Sequence, residues 1–193
     1  MKSNMIFPNG FSQEEVDYIN READKLLDIK EAVVGEVNSS TELKIRKSKT
    51  GWIGANNPEQ YELWSFIQSR LWNFVNAANR ENFSFDVSYL DSVQYTIYEA
   101  PGDHYDWHID TFVDTPNAFH RKLSLTLQLT DGYEYEGGDF QLNDGQGTVL
   151  PKEEMRQKGA VLIFPSFLSH RVTPITKGTR RTIVAWFEGR QFR

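Results

Sequence analysis

A chain of 193 residues that is 39% apolar and 25% charged has the composition of an ordinary folded protein, and it is long enough to bury a core without covalent staples. A formal net charge of −6 gives no reason to expect a nucleic-acid partner, and the absence of cysteine leaves only His and carboxylate groups to hold a metal. The opening "MKSNMIFPNGFS" has no apolar stretch of signal-peptide length, and no run approaches the roughly 20 apolar residues of a membrane span. A soluble, cytoplasmic protein with no membrane partner is the expectation.

Ser12, followed three residues later by Glu15, is a capping box, and Phe11 and Val16 can staple it from either side. Val16, Ile19, Ala23, Leu26 and Leu27 then give a helix one apolar face. "EAVVGEV" (31–37) and "LKIRKS" (43–48) read as short strands, and "KTGWIGANN" (49–57) as a polar loop. A second helix starts near Asn57-Pro58, with Leu63, Trp64, Ile67, Leu71, Phe74, Val75 and Ala78 at helical spacing.

After residue 84 the pattern becomes strand-like: "FDVSYL", "SVQYTIYE", "HYDWHI", "KLSLTLQLT", "GDFQL", "GTVL", "GAVLIF", "SHRVTPI" and "RRTIVAWFE", separated by Gly, Pro and Asp. Short strands so punctuated predict a jelly roll rather than a doubly wound sheet. The expected fold is α+β and mainly β. A double-stranded β-helix carries N-terminal helices packed on one face, in a single domain over 1–193, with 1–83 a helical support region and 84–193 the core. In "KLSLTLQL", Leu123, Leu125, Leu127 and Leu129 share one face, which could pack on the helices. Ser124, Thr126 and Gln128 share the other and would line either a cavity or solvent.

"HYDWHID" (104–110) holds two His-x-Asp pairs, His104/Asp106 and His108/Asp110. A His and an Asp two apart on a strand point the same way and can offer one nitrogen and one oxygen to a shared point. The residues of this stretch alone do not choose between the pairs. Farther on, His170 follows a Pro-containing turn, and Arg180-Arg181 opens another strand. Two His and one carboxylate on one face of iron(II) leave three positions open. A 2-oxo acid can chelate two of them, and its far carboxylate then needs a fixed cation, for which the planar Arg fork is suited.

Tyr98, His108-Ile109-Asp110, Gly137-Gly138-Asp139, His170 and Arg180, in that order, resemble the iron(II)- and 2-oxoglutarate-dependent oxygenases, specifically the prolyl 4-hydroxylase branch. The resemblance is close over about 84–187 and looser in the N-terminal half, through "RKSKTGWI" before a long helix. It implies Fe(II), 2-oxoglutarate and O2, with ascorbate as a candidate reductant, and hydroxylation of a C–H bond with succinate and CO2 as co-products. The substrate it implies is a prolyl residue in a peptide or protein. It also favours His108 and Asp110 as metal ligands with His170: Tyr105 stands three residues before His108, Tyr98 ten before, and a loop, "TFVDTPNAFHR", follows Asp110. Neutral imidazoles are required, so metal binding is expected to weaken as pH falls through the ordinary His range.

By the same resemblance Arg180 anchors the far carboxylate, with Tyr98 and Gln128 as further cosubstrate contacts. Many relatives have a tyrosine where Gln128 stands. Arg180 is preferred to Arg181 because it shares a strand face with Thr182, Val184 and Trp186. Tyr105, Arg121 and Trp186 match substrate-contacting positions, a loop around 46–57 could fold over the substrate chain, and His120 reads as a loop residue. The competing readings are the same chemistry on a free amino acid or small metabolite, a cupin-like metal enzyme that does not use 2-oxoglutarate, and a non-catalytic jelly-roll binding module. The last two would have no use for Arg180.

Overall fold

Ser12 opens the first helix as its local sequence requires. In the computed structural model, which describes residues 2–32, 45–111, 118–145 and 152–192, the Ser12 hydroxyl accepts from Glu15 N at 3.2 Å and Glu15 Oε2 accepts from Ser12 N at 2.8 Å. This reciprocal cap satisfies two otherwise orphaned donors and contributes about 1 kcal/mol. Helix α1 (Gln13–Leu26) buries Val16, Ile19 and Ala23. Helix α2 (Tyr61–Ala78) buries Leu63, Ile67, Leu71, Val75 and Ala78. Its entry is tighter than an α-turn: Pro58–Gln60 is a 3-10 turn capped by Asn57, whose Oδ1 accepts from Glu59 N at 3.1 Å.

The strands are β1 (Met5–Phe7), β2 (Lys30–Glu31), β3 (Arg46–Lys47), β4 (Lys49–Ile53), β5 (Tyr89–Glu99) and β6 (His104–His108). They continue with β7 (Phe119–Gln128), β8 (Tyr135–Gly137), β9 (Phe140–Asn143), β10 (Val161–Pro165), β11 (Ser169–Val172) and β12 (Ile175–Arg190). A short helix α3 (Lys152–Arg156), not expected from the pattern, precedes β10. The major sheet runs β1-β10-β7-β12-β5-β4-β2, with β8 paired to β12 beside it, and the minor sheet runs β3-β6-β11-β9. The described pairings are antiparallel, as a jelly roll demands.

The alternation along β7 assigns the two faces of the major sheet. Leu123, Leu125, Leu127 and Leu129 join Ile19, Leu63, Ile67 and Leu71 in one core under the helices, each side chain contributing about 1.5–3 kcal/mol of burial. The other face looks toward the minor sheet, and there Thr126, Arg180, Thr182, Val184 and Trp186 line a cavity. No helix among the described residues is long and apolar enough to cross a membrane.

Three expectations change. Most of "KTGWIGANN" is strand β4 rather than loop, registered Thr50 to Thr96 and Ile53 to Val93 on β5. Its glycine explains why: a Cβ on Gly51 would stand 2.7 Å from Ile29 Cδ1 and 3.0 Å from Leu27 Cβ, so only glycine lets this strand pass under the chain after α1. The segment around 46–57 is therefore largely sheet and not a loop free to fold over a substrate. "SVQYTIYE" and the end of "FDVSYL" form one strand, β5, because β12 pairs with it on both sides of the Asp91-Ser92 break, taking up the break as a register irregularity at Trp186-Phe187. "GTVL", most of "EAVVGEV", the start of "LKIRKS" and most of the loop after Asp110 lie outside the described residues.

Candidate active site

The two sheets bring distant sequence to one cavity of about 280 Å³. In the minor sheet, His170 of β11 is registered directly opposite His108 of β6. Asp110, just past the end of β6, is held by Ser166, whose carbonyl accepts from Asp110 N at 2.9 Å. As a result one ligand atom each from His108, Asp110 and His170 lies within 4.8 Å of the others. His108 Nε2 is 3.8 Å from Asp110 Oδ1, and His170 Nε2 is 3.4 Å from Asp110 Oδ2.

Hydrogen bonds fix which imidazole nitrogen faces inward. His108 Nδ1 is 2.7 Å from Asp106 O and His170 Nδ1 is 3.0 Å from Leu168 O. A carbonyl only accepts, so each Nδ1 carries the proton and each Nε2 turns its lone pair to the shared point. Burial, with His170 alongside, pushes His108 down to about 4, so its Nε2 is bare at neutral pH. That places proton competition at this ligand below the ordinary His range. Burial works to raise the Asp110 carboxyl, but His170, His108, the Ser124 hydroxyl and the Trp186 indole outweigh it and hold the carboxyl low. Ser124 Oγ donates to Asp110 Oδ2 at 2.7 Å and meets Ser166 Oγ at 2.9 Å. Two inward-facing imidazole nitrogens and one carboxylate, braced from behind, fit a facial site for a divalent transition metal.

Of the two His-x-Asp pairs, only the second enters this cluster. His104 Nδ1 turns back to Gly102 O at 2.8 Å, and Asp106 Oδ1 accepts from Trp107 N at 2.8 Å.

Arg180 stands on β12 with its side chain in the same cavity and is only 3% exposed. Its Nε donates to Gln128 Oε1 at 3.2 Å, and it meets no carboxylate among the described residues. Arg181 points the other way and pairs with Asp24 of α1 at 2.9 Å. Tyr98, registered beside Arg180, presents its ring 5.7 Å from the guanidinium carbon. Gln128 is next to Arg180, but both amide N–H groups are occupied, by Thr130 O at 2.8 Å and the Tyr135 hydroxyl at 3.0 Å.

The remaining expected residues line the mouth. Tyr105 stacks on His108 with ring centres 3.5 Å apart and planes 12° apart. Arg121 lies 4.2 Å over the Trp186 ring and donates to Asp91 Oδ2 at 2.7 and 3.0 Å through Nη2 and Nε. The buried Trp186 N–H is near enough to Asp110 to favour the carboxylate but closes no hydrogen bond. His120 is not a loop residue; it sits in β7, 7% exposed, registered against Gly189. The glycines 137 and 138 have φ of 74° and 63°. Clearance matters there as much as the turn: a Cβ on Gly137 would stand 2.1 Å from Pro174 O, and one on Gly138 2.2 Å from Ile175 Cδ1 and 3.3 Å from Arg180 Cδ.

Sequence reasoning missed Arg46 and Trp52. Arg46 lies 4.6 Å over the Tyr105 ring, donates to Gln94 Oε1 at 2.9 Å and lines the cavity. Trp52 meets Trp186 at 6.1 Å and is 54% exposed on the rim. The available signal was Trp52 itself, alternating with the buried Gly51 and Ile53. Arg46 carried none. Phe140 and Phe164 bracket His170 at 5.5 and 4.7 Å.

Comparison with known proteins agrees with this geometry. The family model of the 2OG-Fe(II) oxygenase superfamily matches residues 93–188. A PKHD-type hydroxylase of Acinetobacter baumannii is 30% identical over 184 residues, covering 94% of this chain and 76% of the relative. One from Gloeothece citriformis is 32% identical over 147 residues, covering 74% of this chain; the match spans 65% of that relative's length, just under two thirds. Among solved structures, a viral collagen prolyl hydroxylase from Paramecium Bursaria Chlorella virus-1 superposes with a TM-score of 0.69 at 20% identity over 97% of both chains. A prolyl hydroxylase from Trichoplax adhaerens, solved with a hypoxia inducible factor peptide fragment, superposes with a TM-score of 0.74 at 17% identity over 96% of this chain and 83% of that one. At these identities the structural likeness speaks for the jelly-roll fold. With the 30% identity across nearly the whole chain, the His-Asp-His cluster and the matched core, the chain belongs to the 2OG-Fe(II) oxygenase superfamily, alongside its PKHD-type hydroxylases.

Proposed function

We propose that this chain is an iron(II)- and 2-oxoglutarate-dependent hydroxylase acting on a prolyl residue in a peptide or protein. The carrying observation is one cavity with His108, Asp110 and His170 on one wall and a buried, carboxylate-free Arg180 on the other. When bound, iron and 2-oxoglutarate supply the oxidising chemistry: O2 is consumed, succinate and CO2 leave, and a C–H bond becomes C–OH. The protein's own residues supply placement. His108, Asp110 and His170 hold the metal, and the Nδ1–H bonds to Asp106 O and Leu168 O keep the imidazoles aimed.

Arg180 binds the far carboxylate of 2-oxoglutarate through its outer nitrogens, with the Tyr98 ring closing that end of the cavity. Burial raises the Tyr98 phenol, so it stays protonated and able to donate. Tyr105, Arg121 and Trp186 face the substrate, and Arg46 and Trp52 join them from β3 and β4. A peptide is favoured over a small metabolite by the rim: Trp52 is 54% and Ile109 46% exposed, so among the described residues the mouth presents an exposed apolar edge. Ascorbate is proposed as the external reductant that keeps the iron ferrous.

The test is succinate formation by the iron-loaded protein with proline-containing peptides added in turn, followed by mass spectrometry. The expected result is peptide-stimulated turnover with a gain of about 16 Da at proline, the mass of the one oxygen atom that the reaction inserts. Turnover stimulated only by a free amino acid or metabolite would refute the peptide assignment. No turnover in wild type, with His108→Ala indistinguishable from it, would refute the enzyme.

A further inference from the structure

The far-carboxylate end of the cavity has a supporting structure that the reaction itself does not require. Gln128 Oε1 accepts from Arg180 Nε at 3.2 Å. An amide can present either end, and here the orientation is forced from behind. Gln128 Nε2 donates to Thr130 O, which can only accept, at 2.8 Å, and to the Tyr135 hydroxyl at 3.0 Å. With both N–H groups engaged inside the protein, Gln128 has none left for a ligand. Its contribution is one carbonyl that pins the Nε edge of the guanidinium and leaves the two outer nitrogens unengaged by Gln128. All three side chains are at most 3% exposed, so no water competes for these bonds.

Tyr135 is in turn held by Arg156 of α3. That guanidinium lies 3.9 Å over the Tyr135 ring. Its nitrogens donate to Gly132 O, Gly137 O and Asp139 Oδ1, each at 2.8 Å, and also to Tyr135 O. One residue thus clamps the whole β8–β9 turn against the sheet edge where Arg180 emerges, and Gly138 of the same turn leaves space for the Arg180 stem.

We infer that Gln128 and Tyr135 are positioning residues that set Arg180 for bidentate capture of a dicarboxylate cosubstrate, with Arg156 locking Tyr135 in place. This rests on the reading of Arg180 given under Proposed function. It makes Gln128 a brace for the anchor and not a ligand contact.

Tyr135→Phe keeps the ring, its stacking on Arg156 and the core packing, and removes only one of the two acceptors that hold the Gln128 amide. Binding of 2-oxoglutarate, and of 2-oxobutyrate as a 2-oxo acid without a far carboxylate, is measured calorimetrically with Mn(II) as a redox-inert stand-in for iron. Tyr135→Phe is expected to weaken 2-oxoglutarate about three- to tenfold, as one neutral buried hydrogen bond allows, and to leave 2-oxobutyrate unchanged. The melting temperature is expected to stay at the wild-type value, and in turnover KM for 2-oxoglutarate should rise at constant kcat. In a Gln128→Leu background the Tyr135→Phe effect should vanish, because the route to Arg180 is already cut.

Unchanged 2-oxoglutarate affinity in Tyr135→Phe, an equal loss for both acids, or the same loss persisting in Gln128→Leu would overturn the inference while leaving the proposed activity intact. Failure of wild-type protein to bind 2-oxoglutarate would overturn both.

Discussion

Replacing Arg180 by Met separates its two roles with effects of opposite sign. The guanidinium is 3% exposed, has one hydrogen bond to Gln128 at 3.2 Å, and faces no carboxylate among the described residues. A cation so placed costs several kcal/mol of desolvation, offset in part by the Gln128 carbonyl and the Tyr98 ring. Methionine keeps the length of the stem and removes the charge. The metal-free protein should therefore be stabilised by about 1–3 kcal/mol, which for a chain of this size raises the melting temperature by about 2–12 °C. Binding of 2-oxoglutarate should fall, because a forked ion pair carries two charge-assisted hydrogen bonds of about 1.5–3 kcal/mol each. The expected loss is at least about a hundredfold in Kd. Scanning calorimetry without ligand and titration of 2-oxoglutarate into Mn(II)-loaded protein read the two effects. A variant that melts below wild type and binds 2-oxoglutarate within tenfold of it would show Arg180 to be structural, and the anchor reasoning would fail.

The metal site gives a graded expectation. Asp110→Ala should abolish Mn(II) binding measured by paramagnetic resonance, whereas Ser124→Ala, which removes the 2.7 Å bond to Asp110 and the 2.9 Å contact with Ser166, should weaken it about 10–100-fold. Alkaline stability reports on Tyr95. Burial pushes this phenol up to about 12, and its O–H donates to Asn20 at 2.9 Å. The unfolded chain ionises near the ordinary value of about 10, so the stabilisation is fully present below pH 10 and is lost as pH rises through about 12, by up to about 3 kcal/mol. Denaturant midpoints for Tyr95→Phe should decline less over that window than wild type; parallel declines would rule out Tyr95 as the cause. Glycine substitution distinguishes strain from clash. Gly102→Ala, at φ 89° with open space around it, should cost about 1–2 kcal/mol. Gly137→Ala, at φ 74° with its Cβ 2.1 Å from Pro174 O, should cost well over about 3 kcal/mol or prevent folding. Equal melting temperatures for the two variants would contradict the role given to the Gly137 turn.

Local pattern was sufficient wherever the determining interaction is itself local. The Ser12–Glu15 cap needs only residues three apart, and the Leu/polar alternation of β7 needs only strand pleating, so the first helix and the division of β7 into a leucine face and a polar face could be read from the chain, whereas whether the polar face met a cavity or solvent could not. The same pleating placed Arg180 with Thr182, Val184 and Trp186 and turned Arg181 toward α1. Strand β4 was misread because its sequence is polar and glycine-bearing, and what makes it a strand is a ladder to β5, some 40 residues later. Arg46 and Trp52 were missed for the same reason.

"HYDWHID" shows the division most sharply. The sequence alone determined that two His-x-Asp pairs exist and that each could offer a nitrogen and an oxygen to one point. The resemblance to the oxygenases already favoured the second pair; the tertiary structure decided that this pair meets a third ligand, because β11 pairs with β6 in the register that sets His170 against His108. It likewise decided that Gln128 braces Arg180 and has no donor left for a ligand, since the orientation of an amide is fixed by partners, Thr130 and Tyr135, that strand periodicity does not report.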